Sequence, residues 1–314
     1  MDLRTSQARS HVTLHEKWMT QFSRVYRNES EKNIRSKVFN DNLKFIENFN
    51  KKGNQSYKLG VNEFTDLTKE EFLAIHTGLN DNNITSPSQV VDETMPSLNW
   101  NVSNVFGGSK DWRNEGAVTP VKSQGGCAIA AVEGMIKIAG GNLISLSEQQ
   151  LVDCDTDHNK GCTSGAMDEA FSYIQNNGIA SEYAYPYQAK KGSCLSNVKA
   201  AVHISKFDNV LSNNEAALLL ALSIQPISVA ISARGNSFIH YAGGVYDGKD
   251  CGTSVNHAVT LVGFGTSPEG IKYWLAKNCW GTTWGEKGYM RLRRNVEWPE
   301  GMCGLAQYGS YPIA

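Results

Sequence analysis

From His15 to Asn50 the apolar positions Trp18, Met19, Phe22, Val25 and Tyr26, then Ile34, Val38, Phe39 and Ile46, recur at intervals of three and four, which predicts helix. Within that stretch Glu31, Arg35, Phe39, Asn42, Ile46 and Asn50 follow one another at steps of four, four, three, four and four. All six therefore share one helix face, and Glu31 stands one turn before Arg35, where the two can pair. An extended piece is expected over Tyr57 to Phe64, and Thr68 with Glu71 forms a capping box for a further helix. The run Asn80 to Glu93, rich in Asn, Asp and Ser, reads as an exposed linker and a first boundary.

A second part, from near Asp111 to about residue 205, is mainly helical. Helices are expected over Ala128 to Ala139, after Ser147 with Gln150 as cap and partner, and around Met167 to Gln175. The last part carries one capped helix, Ser212 to Ile224. β-type runs then follow at Ile227 to Ala233, His257 to Gly265, Lys272 to Asn278 and Gly288 to Arg294. Helices first and strands afterwards predict an α+β chain in which an α lobe packs against a β lobe.

The chain has 314 residues, 40% apolar and 19% charged, enough for about two globular domains with a sizeable core. Thirty basic and thirty-one acidic residues leave a formal charge of -1, so there is no basic footprint for nucleic acid. No stretch reaches the ~18 consecutive apolar residues of a membrane span, and Met1 to Gln21 has no apolar core for a secretory signal. The cysteines point elsewhere. Cys127, Cys154, Cys162, Cys194, Cys251 and Cys303 are spread like a disulfide set, with Cys279 as an odd thiol, and such a set needs an oxidising compartment. Sequons at Asn28, Asn54, Asn83 and Asn101 fit the same secretory route, so the expectation is a natural start upstream of Met1. Scattered, reduced cysteines are the competing reading.

There is no HExxH helix, phosphate-cradling glycine loop or serine nucleophile elbow. Asp155, Asp157 and His158 read as a solvated acidic loop, so neither a metal nor another cofactor is expected. What remains is Gln124 in VKSQGGC, His257 in VNHAVTLVGFG, and Asn278 in KNCWGTTWGEKGY, with Trp280 and Trp284 close by. A His that opens one strand and an Asn that ends another can meet in a β lobe. The Asn would hold the imidazole tautomer while indole shields the bond, as the base and orienter of a thiol hydrolase require. The same two residues can equally be satisfied polar groups of a sheet.

The segments DWRNEGAVTPVKSQGGC, SLSEQQLVDC, YPY, VNHAVTLVGFG, KYWLAKNCWGTTWGEKGYMRL and CGLAQYGSYPIA resemble the papain family of cysteine endopeptidases, particularly its plant-type members, over nearly everything from Asp111 to the end. The six-residue helix stripe resembles that family's ERFNIN propeptide signature, and Gly60, Asn62, Phe64 and Asp66 match its second propeptide motif. The resemblance implies an inhibitory propeptide-like domain at 1–94, a linker and processing region at 95–110, and a papain-like peptidase domain at 111–314. That domain would divide into an α lobe at about 111–205 and an antiparallel, barrel-like β lobe at about 206–314. It also implies a propeptide lying in the cleft and removed on activation, commonly in an acidic compartment, and disulfides Cys127–Cys162, Cys154–Cys194 and Cys251–Cys303. His257 would be base and acid, Asn278 its orienter and Gln124 the oxyanion donor. Gly165, Met167, Val255, Ala258 and Trp280 would line the substrate-binding pockets. The implied partners are protein or peptide substrates, or inhibitors, held in the cleft of a monomer, besides the chain's own propeptide. The implied location is lysosome, vacuole or outside the cell.

The resemblance breaks at one place. Where the family has a segment like QGSCGSCWAFSAV, this chain reads QGGCAIAAVEG, and aligning Gln124, Cys127, Glu133 and Gly134 leaves seven residues missing, the nucleophilic Cys among them. Ser164 also replaces a usual glycine, and Cys279 a usual serine. Seven residues are nearly two turns, so Ile129, Val132 and Ile136 keep their facing direction on a helix shorter by about 10 Å. The expectation is a preserved fold with weak or no peptidase activity. The alternatives are a non-catalytic binder of peptides or proteases, including a propeptide-type inhibitor; a peptidase using Cys127 or Cys279 instead; and a mis-assembled coding sequence of an active enzyme. Consecutive strand residues face opposite ways, so Cys279 is expected to point away from the imidazole.

Overall fold

The structure, a computed structural model, describes residues 14–78, 108–122, 128–157, 159–161 and 165–314. The expected first helix is two helices, α1 (14–21) and α2 (Glu29–Lys51). Ser23 turns the chain with φ 52°, and Asn28 caps the restart by accepting the Glu31 N–H. Glu31 does not pair with Arg35. It takes the backbone N–H and guanidinium of Arg27, while Arg35 Nη1 goes to Glu71 at 2.7 Å and to the Asp66 carbonyl. A tertiary carboxylate presented by α3 (Lys69–His76) wins over the one on Arg35's own helix. The Thr68–Glu71 capping box forms as its spacing predicts.

The other members of the α2 stripe explain why it needs those residue types. Phe39 and Ile46 are buried. Asn42 Nδ2 donates to the carbonyls of Thr65 and Leu67, and Asn50 exchanges both bonds with the backbone of Leu59 in β1 (Tyr57–Leu59). A helix face thus supplies hydrogen bonds to a short irregular segment that has few of its own. Within that segment Asn62 accepts the Phe64 N–H, and Trp18 Nε1 donates to the Asn62 carbonyl at 2.8 Å.

β2 (Lys110–Asp111) opens the second body, and α4 (Ala128–Ile138), α5 (Glu148–Cys154) and α6 (Met167–Asn177) form its helical part. Ile129, Val132, Phe171, Ile174 and Ile179 pack there into one buried cluster, and a Cys154–Cys194 disulfide ties α5 to the loop beyond α6. Ser147 caps α5 through the Gln150 N–H. The Gln150 side chain does not return to the cap: it donates to Tyr173 Oη and accepts the Ala180 N–H, which holds α5 to α6 and the strand-like stretch after it.

The β part follows as β3 (Lys206–Asn209), α7 (Glu215–Ile224), β4 (Ile227–Ile231), α8 (Asn236–Ile239), β5 (Tyr241–Tyr246), β6 (His257–Thr266), β7 (Lys272–Lys277), β8 (Tyr289–Arg293) and β9 (Gly309–Ile313). The cap of α7 is Asn214 rather than Ser212, because Asn213 at φ 57° ends the preceding turn and leaves Asn214 to accept the Ala217 N–H. A Cys251–Cys303 disulfide joins the α8–β6 region to the approach to β9. The strand order is β1-β5-β8-β7-β6-β4-β9-β3, with β2 beside β6. This is the mixed helical and mainly antiparallel arrangement expected, with one parallel pair, β5–β8, plus four strands that the pattern does not reveal: β2, β3, β5 and β9. Each is short, and β5 contains Gly243 and Gly244.

The first body joins the sheet through backbone. β1 adds antiparallel to β5, Tyr57 opposite Gly244, with the Val245 N–H bound to the Ser56 carbonyl. Gly244 has φ 94°, and a Cβ there would collide with the Ser56 carbonyl. Gly244→Ala is therefore expected to unseat β1. In hydrogen exchange the Gly60 and Val245 amides should lose about tenfold or more of their protection while β6–β7 amides keep theirs.

Candidate active site

His257 is the first residue of β6, and Asn278 follows the last residue of β7. Antiparallel pairing of the two strands, Thr260 opposite Lys277, brings the two ends together. His257 Nε2 lies 2.8 Å from Asn278 Oδ1, and both residues are buried. The same Oδ1 accepts the Cys279 N–H at 2.8 Å, so this atom is an acceptor twice over. In the neutral ring Nε2 therefore carries the proton and Nδ1 keeps the lone pair. The Trp280 indole stacks on the imidazole at 4.6 Å between centroids, with Trp284 edge-on behind it at 5.0 Å. Covered in this way, the His–Asn bond is shielded from competing water. Cys279 is buried next to Asn278 and belongs to neither of the two disulfides described.

The expected pocket residues divide between the two core clusters: Trp280 lies in that of the sheet, Met167 and Val255 in that of the helices, and Ala258 packs against both. Met167 and Val255 are buried in the helical cluster together with Ala230, and Ala258 and Tyr308 pack against it; Ala230 and Tyr308 carry no signal in the sequence that would single them out. Gly165 donates its N–H at 3.1 Å to the carbonyl of Gly78, a residue of the N-terminal body. That body covers the rest of the site. Phe64 and Phe72 stand edge-on to Trp280 at 6.1 and 4.9 Å, and His76 closes on both rings at 4.6 and 5.0 Å. Asn62 Nδ2 donates to the Ile239 carbonyl, Gly60 N–H to the His240 carbonyl, and Thr283 Oγ1 to Glu63. The chain thus crosses the His257–Trp280 end of the site and reaches Gly165 at the other. Gln124, the pair Cys127–Cys162, Ser164 and His158 lie outside the described residues. Among the described residues there is no group of three or more His, Cys, Asp or Glu side chains placed to hold a metal ion, and no helix long and apolar enough to cross a membrane.

Behind Asn278 runs a buried polar chain that neither periodicity nor motif marks in advance. Lys277 Nζ donates to Thr119 Oγ1 at 2.8 Å, and Thr119 in turn donates to Glu133 on α4. Glu133 also accepts the Leu146 N–H, and Lys122 donates to Glu148 at 2.7 Å and to the Leu146 carbonyl. A strand of one part is thereby tied to two helices of the other, one residue from the His257 partner. Burial pushes the Glu148 carboxyl up to about 8, against the pull of the Lys122 ammonium. The two halves of that pair should respond differently to mutation. Glu148→Gln, which replaces a carboxyl that burial biases toward its neutral form, is expected to cost about 1 kcal/mol or less. Lys122→Met, which takes the ammonium away from Glu148, from Glu133 at 3.4 Å and from the Leu146 carbonyl together, is expected to cost about 3 kcal/mol or more in denaturant unfolding.

The profile of the papain family cysteine proteases matches residues 107–313, and that of the cathepsin propeptide inhibitor domain matches residues 15–72. The chain is 45% identical over 309 residues to the thiol protease SEN102 of Hemerocallis, covering 96% of this chain and 85% of that protein. Among solved structures it superposes on a recombinant stem bromelain precursor with a TM-score of 0.87 at 42% identity, covering 97% of this chain and 99% of that one. The proform of the ragweed pollen cysteine protease Amb a 11 gives 0.85 at 37% identity, over 96% and 94% of the two chains.

Proposed function

Since the chain belongs to the papain family of cysteine proteases and carries that family's propeptide domain, we propose that it is a proform-shaped member whose cleft grips a peptide chain without cutting it. The observation that carries this reading is the run from Gln124 to Glu133, which offers Cys127 as its sole thiol where the family pattern has a disulfide cysteine and a nucleophile besides. The remaining cleft supports binding: the His257 imidazole is held by Asn278 and stacked on Trp280, and Gly165 gives its N–H to a passing backbone carbonyl. In a complete site, the imidazole would take the thiol proton through Nδ1 and return it to the leaving amine, Asn278 would hold the ring, and Gln124 would meet the developing oxyanion. Without the attacking thiolate that sequence has no first step. Loss of the nucleophile in a comparable hydrolase costs on the order of a millionfold, about 8 kcal/mol of barrier. The two disulfides favour passage through an oxidising compartment, and with the family resemblance they support a vacuolar, lysosomal or extracellular site of action.

Active-site labelling tests the proposal. The chain, made through an oxidising secretory route and acidified, is treated with an epoxide or fluoromethyl-ketone thiol probe and mapped. The expected result is a folded protein with no label that depends on His257, and no peptide cleavage above the His257→Ala background. A label on Cys127 or Cys279 that disappears in His257→Ala would replace the proposal with a relocated nucleophile.

A further inference from the structure

Two of the four sequons stand at the two ends of α2, and the fold treats them differently; Asn83 and Asn101 lie outside the described residues. Asn28 is used by the helix: its Oδ1 accepts the Glu31 N–H at 2.9 Å, and Ser30 lies in the first turn. Asn54 has no such use. It stands exposed beyond the exposed Lys51 and Lys52, at φ 52° behind Gly53 at φ 65°, and a Cβ at Gly53 would meet nothing within 4 Å. Asparagine tolerates that left-handed backbone, which accounts for the residue at 54 but not for the serine at 56. The Ser56 carbonyl accepts the Val245 N–H, a bond any residue could make, whereas the Ser56 hydroxyl is buried without a hydrogen-bond partner. A covered hydroxyl left unpaired costs about 1–3 kcal/mol, so the fold gains nothing from it. The sequon needs it, because the hydroxyl two residues on is what makes the asparagine an acceptor.

We propose that Asn54 is an N-glycosylation site and that the glycan it carries screens the 51–55 turn from proteolysis. This rests on the part of the proposed function that sends the chain through an oxidising secretory compartment, and not on the reading of the cleft. In the transfer, Asn54 Nδ2 bonds to the anomeric carbon of an oligosaccharide supplied as its lipid diphosphate. That carbon's bond to the diphosphate oxygen breaks, the lipid diphosphate leaves with the electron pair, and one Nδ2 proton goes to solvent. Timing favours the same site. The turn at Asn28 closes with residues of its own helix, whereas the strand that pairs beside Ser56 begins only at Tyr241. At ~5–20 residues per second, the sequon at Asn54 therefore stays unpaired for about 10 s or more after it is made. The folded chain accommodates a glycan there, because residues 51–55 all face solvent. The same exposure makes Lys51 and Lys52 a place for nicking by proteases that cut after basic residues. A cut after Lys52 would sever α2 from the segment whose backbone Asn42 and Asn50 bond.

Mass mapping of the full chain, made behind a secretory leader in a eukaryotic host, tests both parts. Peptide N-glycosidase applied in heavy-oxygen water marks each former glycan site. The expected result is a mark at Asn54, at several-fold higher occupancy than at Asn28, which disappears in Ser56→Ala. The Cys154–Cys194 bridge is read in the same map and keeps the site apart from the route. An unmarked Asn54 in a chain that carries the bridge overturns the glycan site, whereas a chain that leaves the cell with those cysteines reduced removes the oxidising route on which the site depends. Screening is read on the folded glycoprotein with a limiting amount of trypsin. Cleavage after Lys51 and Lys52 should quicken by about tenfold or more once the glycan has been taken off the folded chain. Equal rates with and without the glycan overturn the screening.

Discussion

The antiparallel register of β6 against β7 is the constraint on which the site depends. The strands run Thr260 to Lys277 and Leu261 to Ala276, then slip by one residue so that Gly263 faces Leu275. A bulge of this kind turns a backbone group out of the ladder, and the Val262 carbonyl accepts the Trp112 N–H from the segment that β2 opens. Gly263 is where Lys110 passes; a Cβ there would strike its carbonyl. With that register, the start of one strand and the end of its neighbour lie side by side. His257 and Asn278, twenty-one positions apart in the chain, share a bond of 2.8 Å. A slip of one residue would turn the two side chains to opposite faces.

The N-terminal body reads that sheet in a different way. It adds a strand to β5 and then lays an irregular segment over the His257–Trp280 end, with its hydrogen bonds supplied from α2 behind it. Backbone pairing makes the attachment tolerant of side-chain identity, whereas the aromatic contacts of Phe64 and Phe72 with Trp280 place it laterally.

The helical part shows how a short helix can hold its place. α4 has eleven residues, yet Ile129, Val132 and Met135 are all buried, and Glu133 sends both carboxylate oxygens into the polar chain that ends at Lys277. Packing on one face and a satisfied buried acid on another give a tertiary hold that helix propensity over three turns would not provide. The chain of bonds also makes α4 and the Asn278 end of β7 a single mechanical unit.

Much was legible from residues alone. Capping signals at Thr68 and Ser147, helical spacing through Phe39 and Ile46, and β-branched runs at Ile227 and His257 are local physics, and the elements formed where those signals stand. The six-residue stripe was visible as a face, and the motifs around His257 and Asn278 marked the candidate pair. Partner choice was not visible. Arg35 lies one turn from Glu31 yet binds Glu71, because a carboxylate held by another helix is presented in better geometry than a neighbour that already serves its own first turn. β2, β3, β5 and β9 left no trace because strands of two to six residues, one of them with adjacent glycines, have no period to detect and exist only through pairing. His76 and His240 are ordinary histidines in the sequence. Their burial where the N-terminal segment packs on the sheet depresses both imidazoles, and burial is a property of the tertiary structure alone.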